Sequence, residues 1–134
     1  MSSIFTKIIQ GKIPCEKIIE TDSEIAFLDI IPCAEGHTLV IPKLEVKRLE
    51  DLPESEALSL MRTMQYVAKA VSAAFDGIDY NLILNNGANA GQEVEHVHFH
   101  VLPRPQGSSK PFHQRAKYAE GEMQEVGAKI RNCL

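Results

Sequence analysis

A row of histidines that alternates with apolar residues places the strongest constraint on how this chain folds. The stretch 95–104 contains three of the five histidines of the sequence, His96, His98 and His100, with valine or phenylalanine between them. A period of two residues is that of a β-strand, because successive side chains of a strand point to opposite faces. We therefore expect the three imidazoles on one face of a strand and the apolar side chains on the other face, in a core.

Two kinds of chemistry fit such a row of imidazoles. Neutral imidazole is a common metal ligand, but strand residues four apart have Cα atoms ~13 Å apart, at a rise of ~3.3 Å per residue. A single ion would therefore bind two neighbours, such as His96 and His98, with further ligands from elsewhere in the chain. In the alternative, one imidazole is a nucleophile and the other two support it. Three adjacent bases disfavour multiple protonation, which keeps a nucleophilic imidazole neutral near pH 7.

The composition predicts an intracellular protein with a single domain. The chain has 134 residues, of which 44% are hydrophobic and 24% are charged, as in ordinary globular domains. A net charge of −4 without a basic run predicts no positively charged surface that would bind duplex nucleic acid or an anionic membrane. The three cysteines have no CxxC spacing, which indicates reduced thiols. Without a signal peptide or a bilayer-spanning run, the chain is predicted to be cytoplasmic, with the nucleus also accessible and no membrane partner.

Hydrophobic periodicity and turn residues predict an α+β fold whose sheet is mostly antiparallel, because its strands follow one another through hairpins. The predicted strands are 17–20, 25–29, 37–41, 80–84 and the histidine stretch. The predicted helices are 3–10, a long helix from Pro53 to Gly77, and a terminal helix near 123–130. Residues 103–115 are predicted to form a surface loop, in which His113 is interpreted as a surface histidine.

The loop 85–92, which leads into the histidine stretch, is a candidate anion site. It is made of small and amide side chains and contains Gly87 and Gly91. Such a loop can present backbone N–H groups to an anion, although the same composition also suits a plain hairpin connection. Its position directly before three histidines favours the first interpretation.

The pattern of His96, His98 and His100 with apolar residues between them resembles the histidine triad (HIT) family. Three further stretches, 27–30, 36–43 and 85–92, occur in that family's order and at its spacing. The resemblance covers about residues 4–104 of one domain, 1–134, and leaves 105–134 as a C-terminal extension. It implies a HIT-like fold with about five antiparallel strands, one long helix and short terminal helices. It also implies a homodimer across which the sheet is extended.

In this family the middle histidine attacks the α-phosphorus of a nucleotide and forms a nucleotidyl-histidine, which water then hydrolyses without a cofactor. The resemblance therefore implies that His98 is the nucleophile and that His100 contacts the phosphate and assists proton transfer. His96 and His37 would support His98 from behind. An uncharged imidazole suits this role on chemical grounds, because it meets an anionic phosphorus centre without the repulsion that a carboxylate would suffer.

The resemblance also implies a set of residues that bind the substrate, an AMP-type purine nucleotide. Asp29 would hold the ribose hydroxyls, and Ile30 would line the base pocket beside it. The residues expected around the phosphate and the leaving group are Asn85, Gly91, Gln92 and Glu93.

The sequence departs from the family pattern at positions that bear on the substrate. Glu93 stands where the nucleoside phosphoramidase branch commonly has a serine, and Pro103-Arg104 stands where that branch often has two glycines. Pro-Arg also occurs in the dinucleoside polyphosphate hydrolases, but these carry glutamine at the place of Asn85. The prediction is a hydrolase of nucleoside phosphoramidates. The alternatives are a dinucleoside polyphosphate hydrolase and a nucleotide-binding adaptor with vestigial activity.

Metal binding is predicted to be absent at the N-terminus. Some relatives bind a structural zinc through two N-terminal cysteines, and Ser3 and Thr6 occupy those places here. A zinc-dependent hydrolase that uses His96 and His98 is the remaining alternative.

Overall fold

A computed structural model of the chain describes residues 2–108 and 116–134. Five antiparallel strands form one sheet in the order β1-β2-β3-β5-β4, which confirms the predicted α+β class. The strands are β1 (Lys17–Glu20), β2 (Glu24–Leu28), β3 (Thr38–Pro42), β4 (Asp79–Leu84) and β5 (Phe99–Arg104). The helices are α1 (Ile4–Ile9), α2 (Glu54–Ala74) and α3 (Glu122–Arg131), with short 3₁₀ turns at Leu49–Asp51 and Ala88–Ala90.

One face of the sheet is covered by α2, the long helix. Pro53 precedes this helix, and Glu54 and Glu56 lie in its first turn, where carboxylates complement the helix dipole. Gly77 ends it with a φ of +79°, and its N–H donates to Ser72 O at 2.8 Å. The side chains buried under α2 come from both the helix and the sheet. They include Ala26, Leu28, Val40, Leu60, Met64, Val67, Val71, Val97 and Val101.

The opposite face of the sheet carries a smaller core and the histidines. Helix α1 packs on this face through Phe5, next to Ile25, Phe27, Leu39 and Ile41. Pairing between β3 and β5 places Leu39 opposite His100 and Val40 opposite Phe99. Alternation along the two strands therefore directs the valines to the α2 side and the imidazoles to the α1 side.

Regular pairing begins later in the histidine stretch than predicted. Strand β5 starts at Phe99. The backbone groups just before it bond outside the sheet, since Val97 N–H donates to Val46 O at 2.8 Å and His96 O lies 2.7 Å from His98 Nδ1. The alternation of faces is nevertheless kept, since Val97 and Val101 are both fully buried in the α2 core.

The prediction that a loop begins at residue 103 is wrong, because β5 continues through Arg104. Arg104 pairs with Asp79 of β4. The rest of that prediction, including His113, lies outside the described residues from 109 to 115. Strand β3 likewise includes Pro42, at the end where the sequence predicts the strand to stop. Within the described parts of the chain, no helix is long and apolar enough to cross a lipid bilayer.

Candidate active site

The site lies where the end of β2, the start of β3 and the start of β5 meet on the α1 side of the sheet. Leu28 pairs with Thr38, so Asp29 and His37 face each other directly beyond the ladder. Asp29 N–H donates to His37 O at 3.0 Å, and the Oδ2 atom of Asp29 lies 3.9 Å from His37 Nε2. The hairpin thus brings together two predicted residues that are eight positions apart in sequence.

His37 has a tautomer that the backbone sets. The N–H of Cys33 donates to His37 Nδ1 at 3.1 Å, so this nitrogen is an acceptor and the proton of the neutral ring lies on Nε2. His37 Nε2 is 2.9 Å from His100 Nδ1 and is therefore the donor in that contact. His100 in turn accepts at Nδ1 and carries its own proton on Nε2.

His96 is fully buried behind the site. Its Nε2 donates to Pro42 O at 2.8 Å, and its Nδ1 lies 2.9 Å from Ser3 Oγ, which donates to it. Burial lowers the pKa of His96, so the ring is neutral and the hydroxyl proton of Ser3 fits its unprotonated nitrogen. This side chain connects the N-terminus of helix α1 to the end of β3.

His98 occupies the centre of the cluster. Its Nδ1–H donates to His96 O at 2.7 Å, its ring centroid lies 4.9 Å from that of His100, and the Phe5 ring meets it edge-on at 5.0 Å. Burial lowers the pKa of His98, although the carboxylates of Asp29 and Glu93 act in the opposite direction. The neutral ring therefore carries its proton on Nδ1 and a lone pair on Nε2, which is the form that a nucleophile needs.

The loop 85–92 is held by its own glutamine. Gln92 Oε1 accepts from Gly87 N–H at 2.7 Å, and Gln92 Nε2 donates to Lys47 O at 2.7 Å and to Val94 O at 3.0 Å. The side-chain amide of Gln92, a residue expected around the phosphate and the leaving group, is thus used to shape the loop. A contact of Gln92 with a phosphate would have to come from its backbone rather than from this amide.

The remaining predicted residues lie just beyond strand ends or in the loop before β5. Asn85 is the residue after Leu84, which pairs with Phe99, so the register places Asn85 opposite His98. The Nδ2 atom of Asn85 would be 3.6 Å from a Cβ placed on Gly91. Ile30 is 66% exposed directly after Asp29, where an apolar side chain is available to a ligand. Glu93 is exposed on the loop side of His98. The contacts of the structure bring Asp29, His37, His98 and His100 together.

Asp29, His37 and His100 are the described residues with the spacing of a metal site, since one ligand atom of each lies within 4.8 Å of the others. Two imidazoles and a carboxylate would suit a transition metal. However, a metal on His37 Nε2 would require the ring proton to move to Nδ1, where Cys33 N–H already donates. The hydrogen-bond pattern favours proton transfer over metal ligation at these residues.

Two contributors to the site were not predicted from the sequence. The Cys33 amide acts through its backbone, so no side chain marks its role. Ser3 caps α1 by accepting from Thr6 N–H at 3.0 Å, and its contact with His96 spans 93 positions and follows from tertiary packing alone.

The fold and the site define a class of small α+β proteins with a cluster of histidines on one face of an antiparallel sheet. Residues 10–107 match the HIT domain model, and the chain belongs to the HIT domain family. The resemblance seen in the sequence is thereby confirmed.

Relatives and a solved structure agree with this assignment. The chain is 43% identical over 105 residues to the adenosine 5′-monophosphoramidase of Schizosaccharomyces pombe, covering 78% of this chain and 76% of the relative. It is 40% identical over 101 residues to an adenylylsulfatase of Arabidopsis thaliana, covering 75% of this chain and 51% of that protein. The crystal structure of a zinc-bound histidine triad family protein from Mycobacterium smegmatis has a TM-score of 0.87 and 34% identity, covering 99% of this chain and 93% of that chain. Both named relatives are hydrolases.

Proposed function

We propose that this protein is a nucleotide hydrolase that cleaves nucleoside phosphoramidates, or related nucleotidyl conjugates, to a nucleoside monophosphate. The observation that carries the proposal is the hydrogen bond from His98 Nδ1–H to His96 O, 2.7 Å long. It fixes the proton on the nitrogen that faces the protein and leaves the lone pair on Nε2. The names of the two relatives support the substrate class, since both enzymes act on adenylyl compounds.

The reaction proceeds in two displacements at phosphorus. In the first, His98 Nε2 forms a bond to the α-phosphorus while the bond from phosphorus to the amine nitrogen breaks, and His100 Nε2–H gives its proton to the leaving amine. In the second, a water oxygen bonds to phosphorus, the bond to His98 breaks, and His100 recovers a proton from the water. The nucleotidyl-histidine divides one difficult step into two easier ones.

The residues around His98 have complementary roles in this proposal. The relay from Cys33 N–H through His37 to His100 keeps a proton on the nitrogen that serves the leaving group. Asp29 holds the ribose hydroxyls from the end of β2, and the exposed side chain of Ile30 packs against the base. Loop backbone near Gly91 stabilises the charge that develops on the phosphate oxygens.

The decisive experiment is a rapid-quench incubation with an adenosine phosphoramidate, followed by intact mass of the protein. The wild type is expected to show a transient adduct of one adenylyl group, and His98→Asn is expected to show none and to lose at least about 10³-fold in turnover. Binding of AMP to both proteins is measured by calorimetry, so that loss of chemistry is separated from loss of the pocket. Full turnover by His98→Asn would contradict the mechanism. AMP binding without adduct or product in the wild type would favour an adaptor with vestigial activity.

The leaving group is tested by comparing kcat/KM for an adenosine phosphoramidate, adenylyl sulfate and a diadenosine polyphosphate. Glu93 places a carboxylate on the loop side of His98, where it disfavours leaving groups that carry several negative charges. We therefore expect the phosphoramidate to be the fastest of the three. A diadenosine polyphosphate that is hydrolysed faster would shift the assignment to the alternative branch.

We further propose that the protein is a homodimer that pairs through β4. In the sheet order β4 is an edge strand, and its side chains Tyr80 and Leu82 are 39% and 46% exposed beside Met61 of α2, which is 49% exposed. An open edge that is flanked by apolar side chains is an aggregation hazard unless another strand covers it. A second copy of the same strand can continue the sheet and bury this surface.

The dimer is tested by light scattering after gel filtration. Leu82→Glu is expected to give the mass of one chain, because it introduces charge into the paired surface. Ile4→Glu changes an exposed apolar residue of α1, on the other face of the sheet, and is expected to leave the mass of a dimer. A wild-type protein with the mass of one chain at micromolar concentration would overturn the proposal.

A further inference from the structure

The C-terminal segment lies beyond the residues that match the HIT domain, yet it contacts the loop that precedes His37. The family match ends at residue 107. Ala116 N–H donates to Pro32 O at 2.9 Å, and Gly36 N–H donates to Tyr118 Oη at 3.0 Å. The segment 116–118 thus holds the backbone of the loop at both of its ends.

This loop determines which nitrogen of His37 carries the proton. Cys33 N–H donates to His37 Nδ1 at 3.1 Å, and the turn is closed by His37 N–H, which donates to Ala34 O at 3.1 Å. The donor geometry depends on the position of the loop backbone, since an N–H···N contact weakens steeply when its angle closes. A loop displaced by a fraction of an ångström would no longer favour one tautomer of His37.

Two aromatic side chains hold the loop in place at Gly36. Phe75 lies so close that a Cβ at Gly36 would stand 2.6 Å from its ring. The half-buried Tyr118 packs against the core under α2 and presents its hydroxyl oxygen to the Gly36 N–H. Burial raises the pKa of Tyr118, so the hydroxyl stays protonated at neutral pH.

We propose that Tyr118 is a positioning residue for the reaction: by accepting the Gly36 N–H it holds the 32–36 loop where the Cys33 N–H selects the Nε2–H tautomer of His37. That tautomer donates to His100 Nδ1 and keeps the proton of His100 on Nε2. The C-terminal segment therefore acts on proton transfer without contacting the substrate. The kinetic part of this inference rests on the proposed function, whereas the tautomer part does not.

The test compares Tyr118→Phe with Ser72→Ala. Tyr118→Phe removes only the hydroxyl and leaves the ring packed. Ser72→Ala removes another hydroxyl–backbone hydrogen bond, from Ser72 Oγ to Ile78 O at 3.1 Å, in the connection between α2 and β4. It controls for a general loss of stability. Two quantities are measured: the tautomer of His37, from the ¹⁵N shifts of its ring, and kcat and KM on an adenosine phosphoramidate.

In Tyr118→Phe we expect the His37 ring to show a mixture of tautomers and kcat to fall about 3- to 10-fold, with little change in KM, as the loss of one ordinary hydrogen bond implies. Ser72→Ala is expected to match the wild type in both measurements. An unchanged tautomer in Tyr118→Phe, or an unchanged kcat despite a mixed tautomer, would overturn the inference. If the wild type does not turn over the substrate, the proposed function fails, and the ¹⁵N shifts still decide whether Tyr118 sets the tautomer.

Discussion

His37 and His100 lie with Nε2 and Nδ1 2.9 Å apart, although 63 positions separate them in the chain. The contact joins the loop before β3 to the second residue of β5, and the Cys33 amide fixes its direction. A proton relay set by a backbone group is rigid, because the donor cannot rotate away as a side chain can. Changes in the 32–36 loop are therefore expected to alter the chemistry at His100.

Gly36→Ala is expected to be strongly damaging, because it combines backbone strain with a steric clash. Gly36 has a φ of +89°, and its Cβ would stand 2.6 Å from the Phe75 ring. Gly77→Ala is the matched control, since Gly77 has a φ of +79° and a Cβ there would meet no atom within 4 Å. Urea unfolding should give a loss of about 1–2 kcal/mol for Gly77→Ala and about 1–3 kcal/mol more for Gly36→Ala. Equal losses would show that Phe75 yields to the added methyl group.

Ser3→Ala is expected to cost stability and to loosen His96. Ser3 Oγ accepts from Thr6 N–H as the cap of α1 and donates to His96 Nδ1. Loss of a helix cap costs about 0.5–2 kcal/mol, and leaving the buried imidazole nitrogen without its donor adds to that loss. Thermal and urea unfolding measure the change. Ser3→Thr keeps the hydroxyl and should retain most of the stability, so an equal loss in both variants would contradict this role.

Thr63→Val tests a buried carboxylate at the far end of β2. Glu24 is 1% exposed, and its Oε1 accepts from Thr63 Oγ1 at 2.7 Å, while its Oε2 has no partner among the described residues. Removing the threonine hydroxyl should destabilise the fold by about 1–3 kcal/mol, because the carboxylate loses a donor that water cannot replace. Replacing both residues, as Glu24→Met with Thr63→Val, should recover part of that loss, since no buried carboxylate is then left without its donor. A double variant less stable than Thr63→Val alone would contradict this interpretation.

Stability is expected to fall as the pH drops below 6.5. Burial lowers the pKa of both His96 and His98 in the folded protein, whereas in the unfolded chain these groups titrate at about 6.5. Above pH 6.5 the two histidines are neutral in both the folded and the unfolded chain, and their contribution to the free energy of unfolding is complete. Below it the unfolded chain takes up protons first, so stability decreases by up to about 1.4 kcal/mol per pH unit for each histidine. Urea unfolding between pH 8 and pH 5 measures the slope, and His96→Asn should reduce it. A flat profile over this range would contradict buried neutral imidazoles.

Chelation and zinc addition are expected to have different effects. Because the proposed reaction uses proton transfer through His37 and His100, activity should be unchanged after dialysis against a chelator. Added Zn²⁺ should inhibit, since a metal on His37 Nε2 would displace the proton that is donated to His100. Assays of the chelated protein with and without added zinc decide between metal-free proton transfer and zinc-dependent hydrolysis. Activity that is lost on chelation and restored by zinc would support the zinc-dependent alternative.

The sequence predicts the five strands, the helices and the two faces of the sheet, because these features follow from local periodicity. The alternation of His96, His98 and His100 with valine and phenylalanine assigns the faces before any pairing is known. The family resemblance adds Asp29 and His37, whose side chains meet only through the pairing of β2 with β3.

Features that depend on backbone hydrogen bonds or on distant packing could not be predicted in the same way. Gln92 was expected around the phosphate and the leaving group, but its side-chain amide bonds to three backbone groups, Gly87 N–H, Val94 O and Lys47 O. The tautomers of His37 and His98 depend on the Cys33 N–H and the His96 carbonyl, which almost any residue type would supply, proline at position 33 excepted. The contact of Tyr118 with Gly36 spans 82 positions, and no local pattern marks it.

His37, His98 and His100 lie in or directly before β3 and β5, two of the three strands that have a neighbour on each side. Interior strands are among the last parts of a sheet to open in local unfolding. The outer strand β1 and the terminal helix α3, which pack on each other, can fray first without separating His37 from His100. Amide exchange should therefore be slowest in the strands that bear the site. A partly opened molecule would keep its histidine cluster assembled.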